Sequence, residues 1–204
     1  MALSGINILK QDGGLSRPLQ SNDGISGLLF YTSGLDANVV EGNVKLTSNL
    51  DIKNILGITG TTIDAGATIA YHVEEYFRQS ESSLYVNIKN SANVDFAEVL
   101  SMKNFANGSV RQVGIYNEED FSNVSITSLQ AIADQAEDEY EPLQIVYSAP
   151  LASGVTVENL VDLKPNLSPR VSYTIGEDVT EGSEAAKLRT DGAVLVGDIG
   201  TVMG

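Results

Sequence analysis

Residues 70–88 read "AYHVEEYFRQSESSLYVNI". With Ile69 just ahead, apolar side chains recur at Ile69, Val73, Tyr76 and Phe77, the i, i+4, i+7 and i+8 spacing of one helix face. The helix is expected to end near Ser80. "SLYVNI" then reads as a buried strand of the kind that sits between two layers. A helix running straight into a buried strand is half of a crossover connection, the device that joins parallel strands.

The same unit recurs downstream. Phe96, Val99, Leu100, Met102 and Ala106 form a second helical face, with Asn93 as the expected N-cap and Gly108 at the C′ position. "SVRQVGIY" follows as a strand. Ile126, Leu129, Ile132, Ala133, Ala136 and Tyr140 mark a third helix, with Ser125 or Asn123 as its cap. Pro142 blocks its continuation, and "LQIVYS" is the next strand. "TVENLVDL" has room for one or two helical turns, "PRVSYTIG" is a further strand, and 177–192 is a polar loop. Three helix-then-strand units in a row predict an α/β fold, a mixed and partly parallel β-sheet with flanking helices.

Upstream, residues 1–60 read as a β-rich N-terminal arm and segment, expected to flank an α/β core over 61–204. "SGINIL" and "GISGLLFYTSG" are apolar runs bounded by glycine, separated by the turn chemistry of "KQDGG" and "SNDG". "VKLTSNLDIKNILGITG" is less regular, with a short helix expected near Ile52–Leu56.

Composition narrows the function. The 204 residues fit one domain, and 42% hydrophobic residues suffice for a core. Twelve Lys+Arg against 27 Asp+Glu leave a formal charge of −15, which phosphate backbones and anionic membranes repel. Nucleic acid and membrane insertion are therefore not expected. Only 6% of residues are aromatic and none is Trp, so a stacking platform for bases or sugars has little material. The lack of cysteine excludes disulfides, thiolate metal sites and a cysteine nucleophile. "MALSGINILKQDGG" has neither the basic start nor the long apolar run of a signal peptide.

Catalytic motifs are equally sparse. His72 is the only histidine, set beside Val73 and away from the strongest apolar positions, so it reads as a structural or surface residue. A lone histidine without cysteine makes no zinc site of the usual kind. "GITGTTIDAG" is superficially like a phosphate-cradling loop, but lacks the Gly-Lys-Ser/Thr ending that brings a lysine to the phosphates. "GVTVENL" holds no serine elbow. No cofactor, no metal and no catalytic residue is expected.

Charge is unevenly spread. Between Gln112 and Leu163 no lysine or arginine occurs, while acids recur. Glu118, Glu119 and Asp120 precede a helix, whose N-terminal end suits anions. Glu137, Asp138 and Glu139 instead sit at a helix C-terminus, the wrong end for the dipole. They read either as a solvated face or as carboxylates that meet a cationic partner, and such polarity suits subunits that stack with complementary patches.

The blocks "AYHVEEYFRQSESSLYVNI", "FANGSVRQVGIY", "LSPRVSYTIGED" and "GDIGTVMG" resemble, in that order, stretches of tail sheath proteins from contractile phage tails and related injection systems. The likeness runs from about Leu46 onward. It implies a non-enzymatic structural subunit, made in the cytoplasm of the producing bacterium and then built into a virion tail or injection apparatus. Its implied partners are copies of itself in stacked rings and an inner tail tube protein. Terminal arms of sheath subunits add strands to neighbours, and the apolar run Ile6, Ile8 and Leu9 between glycines is the expected arm here. In the family, the segment matching "GAVLVGDIGTVMG" leads into a further region with the C-terminal arm, so a chain lacking that part is expected. Two other readings stay open: a small-ligand or nucleotide-binding enzyme domain on a doubly wound sheet, and a baseplate or tube component of the same machine. The terminal apolar run, Val194 to Met203, is expected to pack against the α/β layer.

Overall fold

A computed structural model describes residues 25–58, 65–90, 94–150, 155, 159, 162 and 167–174. Its centre is β1 (Ser26–Thr32), "SGLLFYT", all seven residues of which are buried. A strand apolar on both faces is stable only with layers on both sides. It pairs in parallel with β3 (Leu84–Asn90) on one side and β4 (Gln112–Asn117) on the other, Phe30 standing level with Ile88 and Tyr116. β5 (Gln144–Ser148) and β6 (Val171–Thr174) extend the parallel array beyond β4. At the other margin β2 (Gly42–Leu46) runs antiparallel to β3. The sheet order is β2-β3-β1-β4-β5-β6.

The fold is thus α/β with a mixed, mostly parallel sheet and flanking helices. One expectation is corrected. The stretch before residue 60 does not flank the layer, because its described part supplies the central strand β1 and the edge strand β2. Taken in chain order, the five parallel strands run 2-1-3-4-5, the doubly wound order that reverses direction beside the first strand.

That reversal places helices on opposite faces. Leu28 and Phe30 of β1 meet Ile52 of α1 (Leu50–Asn54) and Ile69, Val73 and Tyr76 of α2 (Ala65–Gln79). Leu29 and Tyr31 meet Val99 and Met102 of α3 (Ala97–Phe105), and Ile126, Leu129, Ala133 and Ala136 of α4 (Asn123–Asp138). Each buried Leu, Ile, Val or Phe contributes about 1.5–3 kcal/mol. Gly27 lets α3 lie close to β1: a Cβ there would stand 2.3 Å from the Met102 sulfur.

Helix termini depart from expectation by a few residues. Ser122, in extended conformation, caps α4 by accepting the Val124 N–H at 3.2 Å, so neither Asn123 nor Ser125 is the cap. Phe96 precedes α3 with φ 61°, and the Asp95 carboxylate accepts the Ala97 N–H at 3.1 Å. Asn93 lies outside the described residues. At the other end of α3 the C′ position is Asn107, φ 51°, with Gly108 one further on. The Gly108 N–H reaches the Lys103 carbonyl at 2.9 Å and the Asn107 N–H the Asn104 carbonyl at 3.0 Å, a Schellman closure. α4 closes in the same way, with bonds from Tyr140 N–H to the Glu137 carbonyl (2.8 Å) and from Glu141 N–H to the Ala136 carbonyl (2.9 Å). Tyr140 therefore stands past the helix at φ 61° and is 92% exposed, not on its apolar face.

Of the two readings of His72, the structure favours the structural one over the surface one, and places it on the apolar face of its helix, not away from it. It is fully buried, with its ring stacked 6.2 Å from Phe30 and close to Tyr71 and Tyr116. Ile69, His72, Val73 and Tyr76 follow i, i+3, i+4, i+7, so the histidine belongs to the inward arc of α2.

Candidate functional site

The acidic run at the end of α4 meets cations of its own chain. Lys103 lies on the inward arc of α3 with Val99, Met102 and Ala106, its side chain only 1% exposed. Its ammonium donates to the Glu139 carboxylate and stands 3.1 Å from Glu141. Burial alone would lower the Lys103 pKa, but the bonds to Glu139 and Glu141 outweigh it and hold the group above its ordinary value. The hydrogen bond from Lys103 in turn holds the Glu139 carboxyl below the usual range. Glu141 packs over Gly108, where a Cβ would come within 2.2 Å of its Oε1.

Glu137 is bound from the other side. Arg170, just ahead of β6, donates from Nε to Glu137 at 2.8 Å, and this bond pushes the guanidinium pKa up. The Gln130 amide oxygen accepts the Arg170 N–H at 3.2 Å, tying the start of β6 to α4. Of the three acidic candidates, Glu137 and Glu139 thus have intrachain partners, while Asp138 points to solvent. Ile6, Ile8 and Leu9 lie outside the described residues.

A second feature lies at the opposite end of the sheet, beyond the carboxyl ends of β1 and β4, whose following helices pack on opposite faces. Doubly wound sheets hold ligands in the crevice beyond the carboxyl ends of such strands. Ser33, Tyr116, Glu118, Glu119 and Asp120 line an open cleft of about 670 Å³ there. The Thr32 hydroxyl donates to Glu118 at 2.9 Å and the Glu118 N–H to the Tyr31 carbonyl at 3.1 Å, so this loop is fastened to β1. The carboxylates that the sequence assigned to the start of α4 thus also line the cleft.

Compared with known proteins, the chain matches no protein-family model and no curated protein.

Beside the cleft, on the α3 face, the buried Tyr31 hydroxyl donates to Glu98 at 2.7 Å, and Lys89 pairs with the same carboxylate. Burial first, then Glu98, drive the Tyr31 pKa far up, so this phenol stays protonated and acts as a fixed donor. Phe96 packs edge-on against both Tyr31 and Tyr147, and Phe121 links Tyr147 to Tyr173 on β6. The run is rigid packing. Among the described residues no three His, Asp or Glu side chains converge as a metal site would require, and no helix is long and apolar enough to cross a membrane.

Sequence reasoning missed Lys103 and the cleft. The first was readable, since Lys103 shares the 99, 102, 103, 106 spacing with apolar neighbours. The second had no local signal, because Ser33 and Asp120 meet only through the strand order.

Proposed function

We propose that this chain is a structural subunit of a contractile tail sheath, assembling in rings around an inner tube and driving that tube through a target envelope. The supporting observation is that three of the resembling blocks fall, in chain order, on elements of the same sheet-and-helix scaffold. The first spans α2 and β3, the second the end of α3 and β4, and the third opens on β6. The sheet also ends in two short margins, β2 and β6, whose outer backbone groups pair with no described strand. Open margins of this kind are what strand-adding arms require. The producing cell's cytoplasm, then the assembled tail, follow as its places of residence. Electron microscopy of the chain co-expressed with its tube protein tests the reading. Hollow stacked-ring assemblies are expected, and single dispersed particles at every salt concentration refute it.

The cleft favours one other reading, a small-ligand-binding domain on a doubly wound sheet. Its carboxylates repel phosphate groups, so a nucleotide is the wrong occupant. A thermal shift of several degrees with millimolar ATP would reverse that judgement.

A further inference from the structure

We infer that Asn107 is a self-modifying site, converted to aspartate and isoaspartate by attack of the Gly108 nitrogen, at a rate set by the helix closure that ties α3 to α4. The inference is independent of the sheath reading, since it needs neither a partner chain nor a ligand.

Asn107–Gly108 is the only Asn-Gly pair in the chain. The chemistry needs a side-chain amide followed by a residue without a Cβ, so that nothing obstructs the approach of the amide carbon to the next backbone nitrogen. The Gly108 nitrogen gives its proton to water or hydroxide and bonds to the Asn107 Cγ. The bond from Cγ to the side-chain nitrogen breaks, and that nitrogen leaves as ammonia, which completes a succinimide ring. Water then opens the ring at either carbonyl. One opening gives aspartate; the other gives isoaspartate, in which the main chain runs through Cβ and Cγ. No oxidant, metal or second protein takes part.

The fold supplies the reactive pair and also a restraint upon it. Asn107 is exposed, and its side-chain amide has no partner among the described residues. It stands at φ 51°, in the left-handed region that Asn tolerates better than most residues. Gly108, in contrast, is buried, and its N–H is donated to the Lys103 carbonyl at 2.9 Å. The nucleophile is thus turned into the helix end with its proton held, and ring closure waits until this bond opens. The Ser109 hydroxyl is no help to the leaving group, because it donates to the Ala106 carbonyl at 2.6 Å. Lys103 keeps the closure shut: the residue whose carbonyl binds Gly108 sends its ammonium to Glu139 and Glu141, and Glu141 lies over Gly108. The end of α3 therefore opens only when contacts to the segment that closes α4 give way.

The product acts back on the same contacts. Isoaspartate lengthens the main chain by one atom inside the closure, which spoils the register of its two bonds. Either product also places a carboxylate at the C-terminal end of α3, the negative end of the helix dipole, next to the glycine that Glu141 covers. Both effects loosen the Lys103 link between the two helices.

Ageing of the full wild-type chain in mildly alkaline buffer, with and without unfolding urea, tests this through mass spectrometry of the tryptic peptide 104–111. A gain of one mass unit at Asn107 is expected in both conditions, with isoaspartate identified by an isoaspartate-specific methyltransferase. It should be at least about tenfold faster in urea, where no local opening has to precede the attack. Lys103→Met, shown to be folded by circular dichroism, is expected to raise the native rate. Asn107→Gly, which suits the left-handed position, is expected to gain nothing there. The fully aged wild-type chain should have a lower urea midpoint than fresh chain, while equally aged Asn107→Gly keeps its own. No mass gain at Asn107 in native buffer, a gain at Asn104 in its place, or a rate unaffected by urea overturns the assignment. An unchanged rate in folded Lys103→Met, or an aged wild-type chain with an unaltered midpoint, overturns the link to α4.

Discussion

Gly57 follows α1 with φ +74°, a conformation that costs an L side chain about 1–2 kcal/mol. A Cβ at this position would also stand 2.2 Å from the Asn38 carbonyl oxygen, which is backbone and not a flexible side-chain tip. Restoring ordinary contact at 3.4 Å demands a shift of 3.4 − 2.2 = 1.2 Å. The nearby Val40 N–H is bound to the Leu56 carbonyl at 3.0 Å, so the two segments cannot part without losing that bond. Overpacking of this kind adds about 1–3 kcal/mol. Gly57→Ala is therefore expected to cost about 3 kcal/mol, or roughly 6–12 °C in Tm for a chain of this size. Gly34→Ala is the control: its φ is +72°, yet nothing lies within 4 Å of its Cβ, so only the conformational cost of about 1 kcal/mol remains. Urea denaturation of both variants measures the difference. Equal losses for the two would refute the argument that the β1–β2 connection presses on Gly57.

The Lys103 cluster predicts a stability window in pH. Glu139 is held below its ordinary 4.5, so its contribution is present above that value and fades as pH falls; Lys103 is held above its ordinary 10.5, so its contribution is present below that value and fades as pH rises through the raised pKa. The urea midpoint gap between wild type and Lys103→Met should be widest near neutrality and shrink at both extremes; a gap independent of pH sinks the prediction. Ser122→Ala should cost about 1 kcal/mol through loss of the α4 cap, read from the same titration. Gly27→Ala should cost about 1–3 kcal/mol by pressing on Met102, and combining it with Met102→Ala should be markedly less than additive, since the new methyl then fills space the sulfur vacated.

Much of the fold was legible because its signals are local. The helix over 65–79 and the strand over 84–90 follow from periodicity and from the length of an apolar run, both carried within one segment. The alternation of three such units already implied parallel pairing, because a helix-length connection is what parallel neighbours need. Two caps and the margin of the third helix shifted by a few residues, since left-handed positions such as Asn107 and Tyr140 declare themselves only through the bonds that close the helix.

Strand order, in contrast, was a tertiary decision. "GLLFYT" reads as a buried strand wherever it sits, and only pairing with β3 on one side and β4 on the other made β1 the centre. β2, with its half-exposed residues, has no apolar run to announce it and exists because β3 offers an edge. Two polar groups were placed in the same way: His72 is buried because Phe30 and Tyr116 arrive against it, and Lys103 because carboxylates 36 and 38 residues later close over it. The sequence by itself determined the helices and the apolar strands, though not β2, since hydrophobic periodicity acts over a few residues. Which strands adjoin, and which charges find each other, depended on contacts between segments far apart in the chain, whose energies exist only once the layers have packed.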